Sequence, residues 1–259
     1  MKEYILLTGA SSGIGYEMAF LLAQKNKNLI LVSRSHEKLN QMREELIQKY
    51  GVSVYYIVKD LTDARAATEL YQDIKRQELL VTALINNAGV GHYGRFIEIE
   101  AADELKMIEL NVSSVVVLTK LFAREMAEYG TGRIMNVSSL LAFLPFPYYA
   151  VYSATKAFIL AFSDTVAAEL EHTGVVVTAL CPGPVDTGFN SEAMRTTNAF
   201  RANKPMPARA VAEQGVKLLL EGKGSKVVGF MNRLLSFLPR LVPGTIMMRV
   251  KKKLASQQK

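Results

Sequence analysis

Tyr152 and Lys156 stand four residues apart in Tyr152-Ser153-Ala154-Thr155-Lys156, and their types and spacing allow proton chemistry from one short segment. A helical pattern runs roughly from Pro147 to Leu170, and on a helix that spacing stacks the two side chains on one face. A free phenol titrates near ~10, and an ammonium held beside it favours the phenolate. A tyrosine tuned in this way exchanges a proton with a substrate oxygen near neutral pH. Taken alone, the pair also describes an ordinary surface helix, so its partners elsewhere in the chain decide between the two.

Those partners need elements that deliver them to the same place. Tyr4-Ile5-Leu6-Leu7 is a short apolar run, the pattern of a strand buried on both faces. It leads through Thr8-Gly9-Ala10-Ser11-Ser12-Gly13-Ile14-Gly15 into the helical stretch Tyr16 to Leu22. Strand, glycine-rich turn and helix in that order predict a dinucleotide site, with a pyrophosphate at the helix N-terminus. The second strand, Asn28 to Ser33, ends at Arg34, where such a fold meets the adenosine ribose. An arginine there favours a 2′-phosphate through charge-assisted hydrogen bonds, which points to NADP(H) rather than NAD.

Further along come a helix (about Glu37 to Tyr50), a strand (Val52 to Val58) reaching Asp60-Leu61, and a helix (about Ala64 to Arg76). A fourth strand, Ala83-Leu84-Ile85, opens into Asn86-Asn87-Ala88-Gly89. One long helix is predicted over Ala101 to Glu128, with Asn111 in its middle marking a kink or a bound water. Arg133 to Ser139 forms the fifth strand and Val175 to Leu180 the sixth, which runs into Cys181-Pro182-Gly183-Pro184-Val185-Asp186-Thr187. Strands alternating with helices at this spacing predict an α/β fold with a doubly wound, Rossmann-like parallel sheet.

In order and type, these segments resemble the short-chain dehydrogenases/reductases over about residues 3 to 230. Gly9, Gly13 and Gly15 match the family's TGxxxGxG loop, Asn86 to Gly89 its NNAG turn, and Tyr152 with Lys156 its YxxxK pair. Ser139 lies at the usual spacing for the catalytic serine, Ser138 being the less favoured neighbour; Asn111 matches the fourth tetrad member. Pro182-Gly183 with Thr187 matches the PG motif that closes on the nicotinamide.

The resemblance implies that Tyr152 is the general acid in reduction and the base in oxidation. It implies that Lys156 lowers the tyrosine pKa and holds the nicotinamide ribose. Ser139 would stabilise the developing oxyanion, and Asn111 would connect Lys156 to solvent through a water. The implied NADP(H) site comprises Gly9, Ser11, Ser12, Gly13, Ile14, Gly15, Arg34, Asp60, Leu61, Asn87, Ala88, Gly89, Tyr152, Lys156, Pro182, Gly183, Val185 and Thr187. No metal is required. The expected activity is hydride transfer between the nicotinamide and a carbonyl or secondary alcohol on a small molecule. Reduction of a 3-oxoacyl thioester is the alternative within enzymes, and a non-catalytic NADP-binding sensor the alternative outside them.

Composition narrows the setting. With 259 residues, 49% hydrophobic, and no linker or internal repeat, the chain is expected to form one domain over 1–259. Cys181 is the only cysteine, which excludes an intrachain disulfide, and three scattered histidines (His36, His92, His172) argue against a structural zinc site. Met1-Lys2-Glu3-Tyr4 passes straight into the first strand, so no secretory signal is expected. The charge-free window Ile134 to Thr155 carries three serines, Asn136, Pro145 and Pro147, which argues against a membrane span. A cytoplasmic homo-oligomer, dimer or tetramer, with no nucleic-acid partner is the expectation.

The net charge of +7 is unevenly placed: Gly222 to Lys259 holds nine Lys/Arg and no Asp or Glu, leaving −2 for the rest. A substrate lid is expected over about 186–208 and a basic C-terminal extension over about 230–259. Met194, Phe200 and Met206 in the first, with Leu140 to Phe146, suit either a lipophilic substrate or core and subunit contacts. Phe230 to Leu238 and Ile246 to Val250 are apolar, broken by Pro239 and Pro243, and run into Lys251-Lys252-Lys253. Such a pattern suits an amphipathic element on an anionic membrane, or a contact for an acyl-carrier protein or coenzyme A. It equally suits packing over the sheet edge or a subunit interface, with the lysines as a solvated tail.

Overall fold

A computed structural model describes residues 2–255, apart from 190, 199, 201, 202, 241 and 243. Nine strands are assigned among them: β1 (Glu3–Thr8), β2 (Asn28–Ser33), β3 (Val54–Val58), β4 (Leu80–Asn86), β5 (Gly132–Val137), β6 (Val175–Cys181), β7 (Val185–Asp186), β8 (Met206–Pro207) and β9 (Gly224–Val227). The helices are α1 (Gly13–Gln24), α2 (His36–Tyr50), α3 (Ala66–Arg76), α4 (Ala101–Ile108), α5 (Ser114–Glu128), α6 (Ala150–Glu169), α7 (Glu192–Arg195), α8 (Ala208–Glu221), α9 (Phe230–Phe237) and α10 (Gly244–Ala255). Seven strands form one parallel sheet in the order β3-β2-β1-β4-β5-β6-β9. The doubly wound, single-domain α/β fold expected from the sequence is the one present.

Alternation along each strand feeds two cores. Leu7, Leu31, Ile85 and Met135 point to the face covered by α1, α2 and α8. Their neighbours Leu6, Ile30, Leu84 and Ile134 point to the face covered by α3 and α5. Both sets are essentially inaccessible, which is why these strands read as unbroken apolar runs. The strand order reverses between β1 and β4, so the chain splays apart at their carboxyl ends and leaves a crevice there.

Three expectations change in detail. The predicted helix over Ala101 to Glu128 is interrupted by a π-helical turn, Glu109–Ser113, with Asn111 buried inside it. The wider turn brings Asn111 inward, where its side chain bonds backbone that a regular helix would not face. The seventh strand, β9, was not foreseen; its sequence Gly-Ser-Lys-Val has no apolar pattern because it lies at the sheet edge and is largely exposed. Finally, β7 and β8 pair through two residues each, pinning both ends of the segment that follows the Pro182-Gly183 turn. No described helix is long and apolar enough to cross a membrane.

Candidate active site

The crevice begins at Thr8. Its hydroxyl donates to the Ile85 carbonyl (3.3 Å) and accepts from the backbone N–H groups of Asn87 and Ala88 (3.1 Å each). In return the Asn87 amide donates to the Thr8 and Gly9 carbonyls, both at 3.1 Å. The glycine loop and the Asn86 to Gly89 turn are thereby locked together. Gly9 has φ +66°, and a Cβ there would lie 2.8 Å from the Ala88 Cα, so both dihedral and space require glycine.

Helix α1 opens just beyond, with Ser12 as its extended N-cap residue. No side chain caps its first turn and no acidic residue lies in it, so its free N–H groups can receive an anion. This cradle fits the pyrophosphate of a dinucleotide. Ser11, Ser12, Gly13 and Ile14 line the cavity, whereas Gly15 does not. Gly15 lies behind the loop, where a Cβ would overlap the Gly9 carbonyl oxygen, so its contribution is to loop packing rather than to ligand contact.

Along the crevice, Asp60 and Leu61 line one side, with Asp60 held by hydrogen bonds from the Thr62 amide (3.0 Å) and hydroxyl (2.9 Å). Arg34 follows β2, exposed and lining the cavity without an ion-pair partner among the described residues. Lys38, four residues on, lines the same end. The sequence reading missed it, although a second cation in the first turn of the helix after the second strand carried the signal. Lys59 also lies there but is committed to Glu69 (3.2 Å) and Asp73 (3.3 Å).

Where the crevice deepens, α6 presents Tyr152 and Lys156. The Lys156 amine is buried and donates to the Val137 carbonyl (2.9 Å), 5.8 Å from the centre of the Tyr152 ring. Burial pushes the Tyr152 phenol up to about 12, with a hydrogen bond from Ser139 drawing it partly back. Burial also lowers the Lys156 amine to about 8. The amine is turned to Val137, and burial outweighs the other influences on the Tyr152 phenol. Tyr152 keeps its proton at neutral pH, which suits a proton donor.

Both serines line the cavity, but their hydrogen bonds differ. Ser138 donates to the Lys156 carbonyl (2.7 Å) and braces β5 against α6. Ser139, accepting from the Leu141 amide (3.1 Å), lines the cavity beside Tyr152. Asn111 does not line it. Its amide donates to Val90 O (2.9 Å) and Thr155 Oγ1 (3.2 Å), and its oxygen accepts from Val90 N (3.0 Å). It approaches Lys156 across Gly89: a Cβ on that glycine would meet Asn111 Oδ1 at 3.1 Å and the Lys156 amine at 3.5 Å. Asn111 thus sits one layer behind the cavity wall.

Pro182, Gly183, Val185 and Thr187 line the wall after β6, and Leu140 N donates to Pro182 O (2.7 Å). Cys181 ends β6 fully buried, its thiol pushed up to about 12 by burial, as expected of a packing residue. Asn232 of α9 packs on Gly183 and receives a hydrogen bond from Asn203 (2.8 Å), linking the segment after the turn to the C-terminal helices.

Beyond Tyr152 the cavity becomes apolar. Leu144, Phe146, Tyr149, Phe189 and Met194 line it, and so does the buried side of α10 through Met247, Lys251 and Leu254. The sequence pattern of this region suited a membrane, an acyl-carrier or coenzyme A contact, or packing over the sheet edge or a subunit interface; the inner face of α10 walls the cavity, a position none of these named. Tyr93 OH donates to Ala255 O (2.7 Å) and Asn198 Nδ2 to Lys253 O (3.2 Å), fixing that end of the helix. Tyr149, His92 and Lys251 were also missed as lining residues; Tyr149 stands only three residues before Tyr152, whereas no local pattern ties the other two to it. His92 Nδ1 lies 4.0 Å from Glu104 Oε2, both buried without a hydrogen-bond partner among the described residues, and burial raises the Glu104 pKa.

The two ends form one continuous space of about 1100 Å³, beyond the ~1,000 Å³ at the upper end for a single small ligand. It has room for a dinucleotide and a second molecule. The profile of the short chain dehydrogenases matches residues 3–198. The chain belongs to the short-chain dehydrogenases/reductases.

Its relatives in this family include the human 17-beta-hydroxysteroid dehydrogenase type 3, 35% identical over 198 residues, covering 73% of this chain but 61% of that protein. An oxidoreductase of Mycobacterium tuberculosis, EphD, is matched over 31% of its own length at 32% identity. The first of these relatives are thus spanned over less than two thirds. The very-long-chain 3-oxoacyl-CoA reductase of Anas platyrhynchos is 32% identical over 99% of this chain and 82% of its own. Among solved structures, a short-chain dehydrogenase from Sphingobium yanoikuyae in complex with NADPH superposes with TM-score 0.80 at 26% identity, over 93% of this chain and 97% of that one.

Proposed function

We propose that this dehydrogenase is an NADP(H)-dependent oxidoreductase that interconverts a carbonyl and a secondary alcohol on a lipophilic small molecule. The observation that carries the reading is the position of Ser139 and Tyr152, where the anion-receiving crevice opens into an apolar chamber. A carbonyl oxygen between them accepts a hydrogen bond from Ser139, which stabilises negative charge as it develops. Tyr152, neutral at pH 7, passes its proton to that oxygen. Lys156, anchored on Val137, would hold the nicotinamide ribose, and Arg34 with Lys38 would hold a 2′-phosphate. The bound nicotinamide supplies the hydride that reaches the carbonyl carbon.

The apolar chamber supports a lipophilic substrate, as do relatives named for a steroid and for very-long-chain 3-oxoacyl-CoA. The second of those names makes a 3-oxoacyl thioester the alternative substrate. The deciding assay follows NADPH and NADH oxidation with lipophilic ketones, 3-oxoacyl thioesters and polar keto-sugars. NADPH consumption with an apolar ketone is expected. Tight NADPH binding with no consumption on any carbonyl would leave the non-catalytic sensor.

A membrane contact for the C-terminal region draws support from a separate observation. Phe230 (79% exposed), Leu234 and Phe237 repeat along one side of α9, and Ile246 and Met248 are exposed on α10. Arg233, Arg249, Lys252 and Lys253 stand among them, with no acidic residue from Gly222 onward. Apolar and basic groups together suit the surface of an anionic bilayer. Co-sedimentation with phosphatidylserine vesicles, lost on phosphatidylcholine vesicles and in a Phe230→Ser/Leu234→Ser/Phe237→Ser chain, is the expected result. A dimer or tetramer is also proposed, to be read from sedimentation equilibrium.

A further inference from the structure

The apolar chamber contains a cation that an apolar substrate does not explain. Lys251 is 5% exposed on the inner face of α10 and lines the cavity together with Met247 and Leu254. No hydrogen-bond or ion-pair partner stands against it among the described residues, and its own segment from Gly222 onward contains no Asp or Glu. The other cations lining the cavity lie elsewhere: Arg34, Lys38 and Lys59 at the ribose end, and Lys156 on Val137. The stem of Lys251 is buried while its amine opens on the cavity, and burial lowers its pKa, so a counter-charge there would be favourable. The helix that carries it is held by the Tyr93 and Asn198 hydrogen bonds, so its backbone has a fixed place beside the cavity.

The geometry points to Lys251 as the counter-charge for an anionic group on the substrate, making the substrate class an amphipathic ketone or alcohol with an oxyanion away from its reacting carbon. This rests on the oxidoreductase reading above and narrows it. Tyr149 and Tyr152, ring centres 6.4 Å apart, line the cavity on the way to the proton donor, and Tyr93 packs behind Tyr149 at 5.1 Å while bonding the end of α10. An apolar chain can lie along that wall with its ketone at Tyr152 and its anion at Lys251. The anion is either the substrate's own carboxylate or a phosphate of a thioester carrier.

The test compares straight-chain oxo-acids of graded ketone-to-carboxylate separation with their methyl esters and coenzyme A thioesters, using NADPH and the full chain. Free acids are expected to exceed their esters in kcat/KM by about ten- to hundredfold at the best separation. In Lys251→Met that ratio should fall to near one, and in Lys251→Arg most of it should survive. If instead the thioesters are favoured and lose their advantage in Lys251→Met, the anion belongs to the carrier. Equal rates for acid, ester and thioester in the unmodified chain would overturn the anchor while leaving the oxidoreductase reading intact.

A binding arm needs no turnover: calorimetry with dodecanoate and dodecanol, both below their aggregation limits, on the unmodified chain and Lys251→Met. Selective dodecanoate binding that vanishes in Lys251→Met, in a chain that reduces no ketone, would keep the anchor and remove the oxidoreductase reading. Selectivity unchanged in Lys251→Met would place the anion elsewhere and overturn the anchor.

Discussion

The ribose end and the substrate end of the cavity are walled by different material. At the first, the walls are largely backbone: the Gly9 loop, the open first turn of α1 and the Asn87 to Gly89 turn, tied together through Thr8 and Asn87. At the second, the walls are side chains drawn from α6, from the segment after Thr187 and from α9 and α10. Backbone walls restrict which residues are possible, because a positive φ or a close approach admits little besides glycine. Side-chain walls require only suitable size and polarity, which many residues supply. One chemistry can therefore be kept at the first end while the second is free to select substrates.

Replacing Tyr152 with Phe, at the junction, is the largest break. Turnover should drop by about 10² to 10⁴, the usual contribution of a positioned acid, while NADPH affinity stays nearly unchanged because the ring and Lys156 remain. Fluorescence titration of NADPH alongside steady-state rates makes the check. Most of the activity surviving in Tyr152→Phe would name another proton donor and undo the division of labour between Ser139 and Tyr152.

Lys156 offers a second break, in stability. Its amine falls from the ordinary 10.5 to about 8 in the fold, a burial cost of roughly 3 kcal/mol for the charged form. The folded pKa is the lower one, so the stability it brings is present above 10.5 and is lost as pH falls through 8. Lys156→Met should then melt several degrees higher than the unmodified chain at pH 6, with the gap closing towards pH 10, and should lose catalysis throughout. Calorimetric scans across that range decide it; a gap that widens with pH would contradict the burial argument.

A smaller effect belongs to the ribose end. Arg34→Asp should lower kcat/KM for NADPH by about tenfold and shift preference towards NADH. Lys38→Ala should act in the same direction to a lesser degree. Equal use of the two cofactors by the unmodified chain would remove the 2′-phosphate reading of Arg34.

The same contrast governs what could be read from the chain before its structure. Strands β1, β2 and β4 to β6 were legible because Leu6/Leu7 and their counterparts are buried on alternate faces, which leaves an unbroken apolar run. The crevice was legible because its glycines and Asn87 are held to type by backbone geometry. Edge strand β9 was not, since an exposed Gly-Ser-Lys-Val has no pattern to find. Nor was the depth of each residue: Gly15 and Asn111 are in the right place but one layer behind the cavity, where only coordinates separate support from contact. The orientation of Lys156 had the same origin, because spacing on a helix does not reveal that its amine turns to Val137. Least legible was α10, whose docking depends on Tyr93, 162 residues before Ala255.

Met247 on α10 gives the smallest and most diagnostic test of that last element. It is buried, lines the apolar chamber and carries no polar atom that could act in the chemistry. If α10 is a wall of the substrate end, Met247→Ala enlarges the chamber and removes apolar contact from one side of the ligand. KM for an apolar ketone should then rise a few-fold, on the order of the ~1 kcal/mol lost with a methylene or two, while KM for NADPH is unchanged. A bulkier ketone should gain relative to a slimmer one, because the vacated volume favours it. If α10 merely covers the surface, Met247→Ala costs melting temperature and leaves both KM values where they were. Parallel kinetics on two ketones differing by one ring, with a melting curve for each chain, separate the wall from the cover.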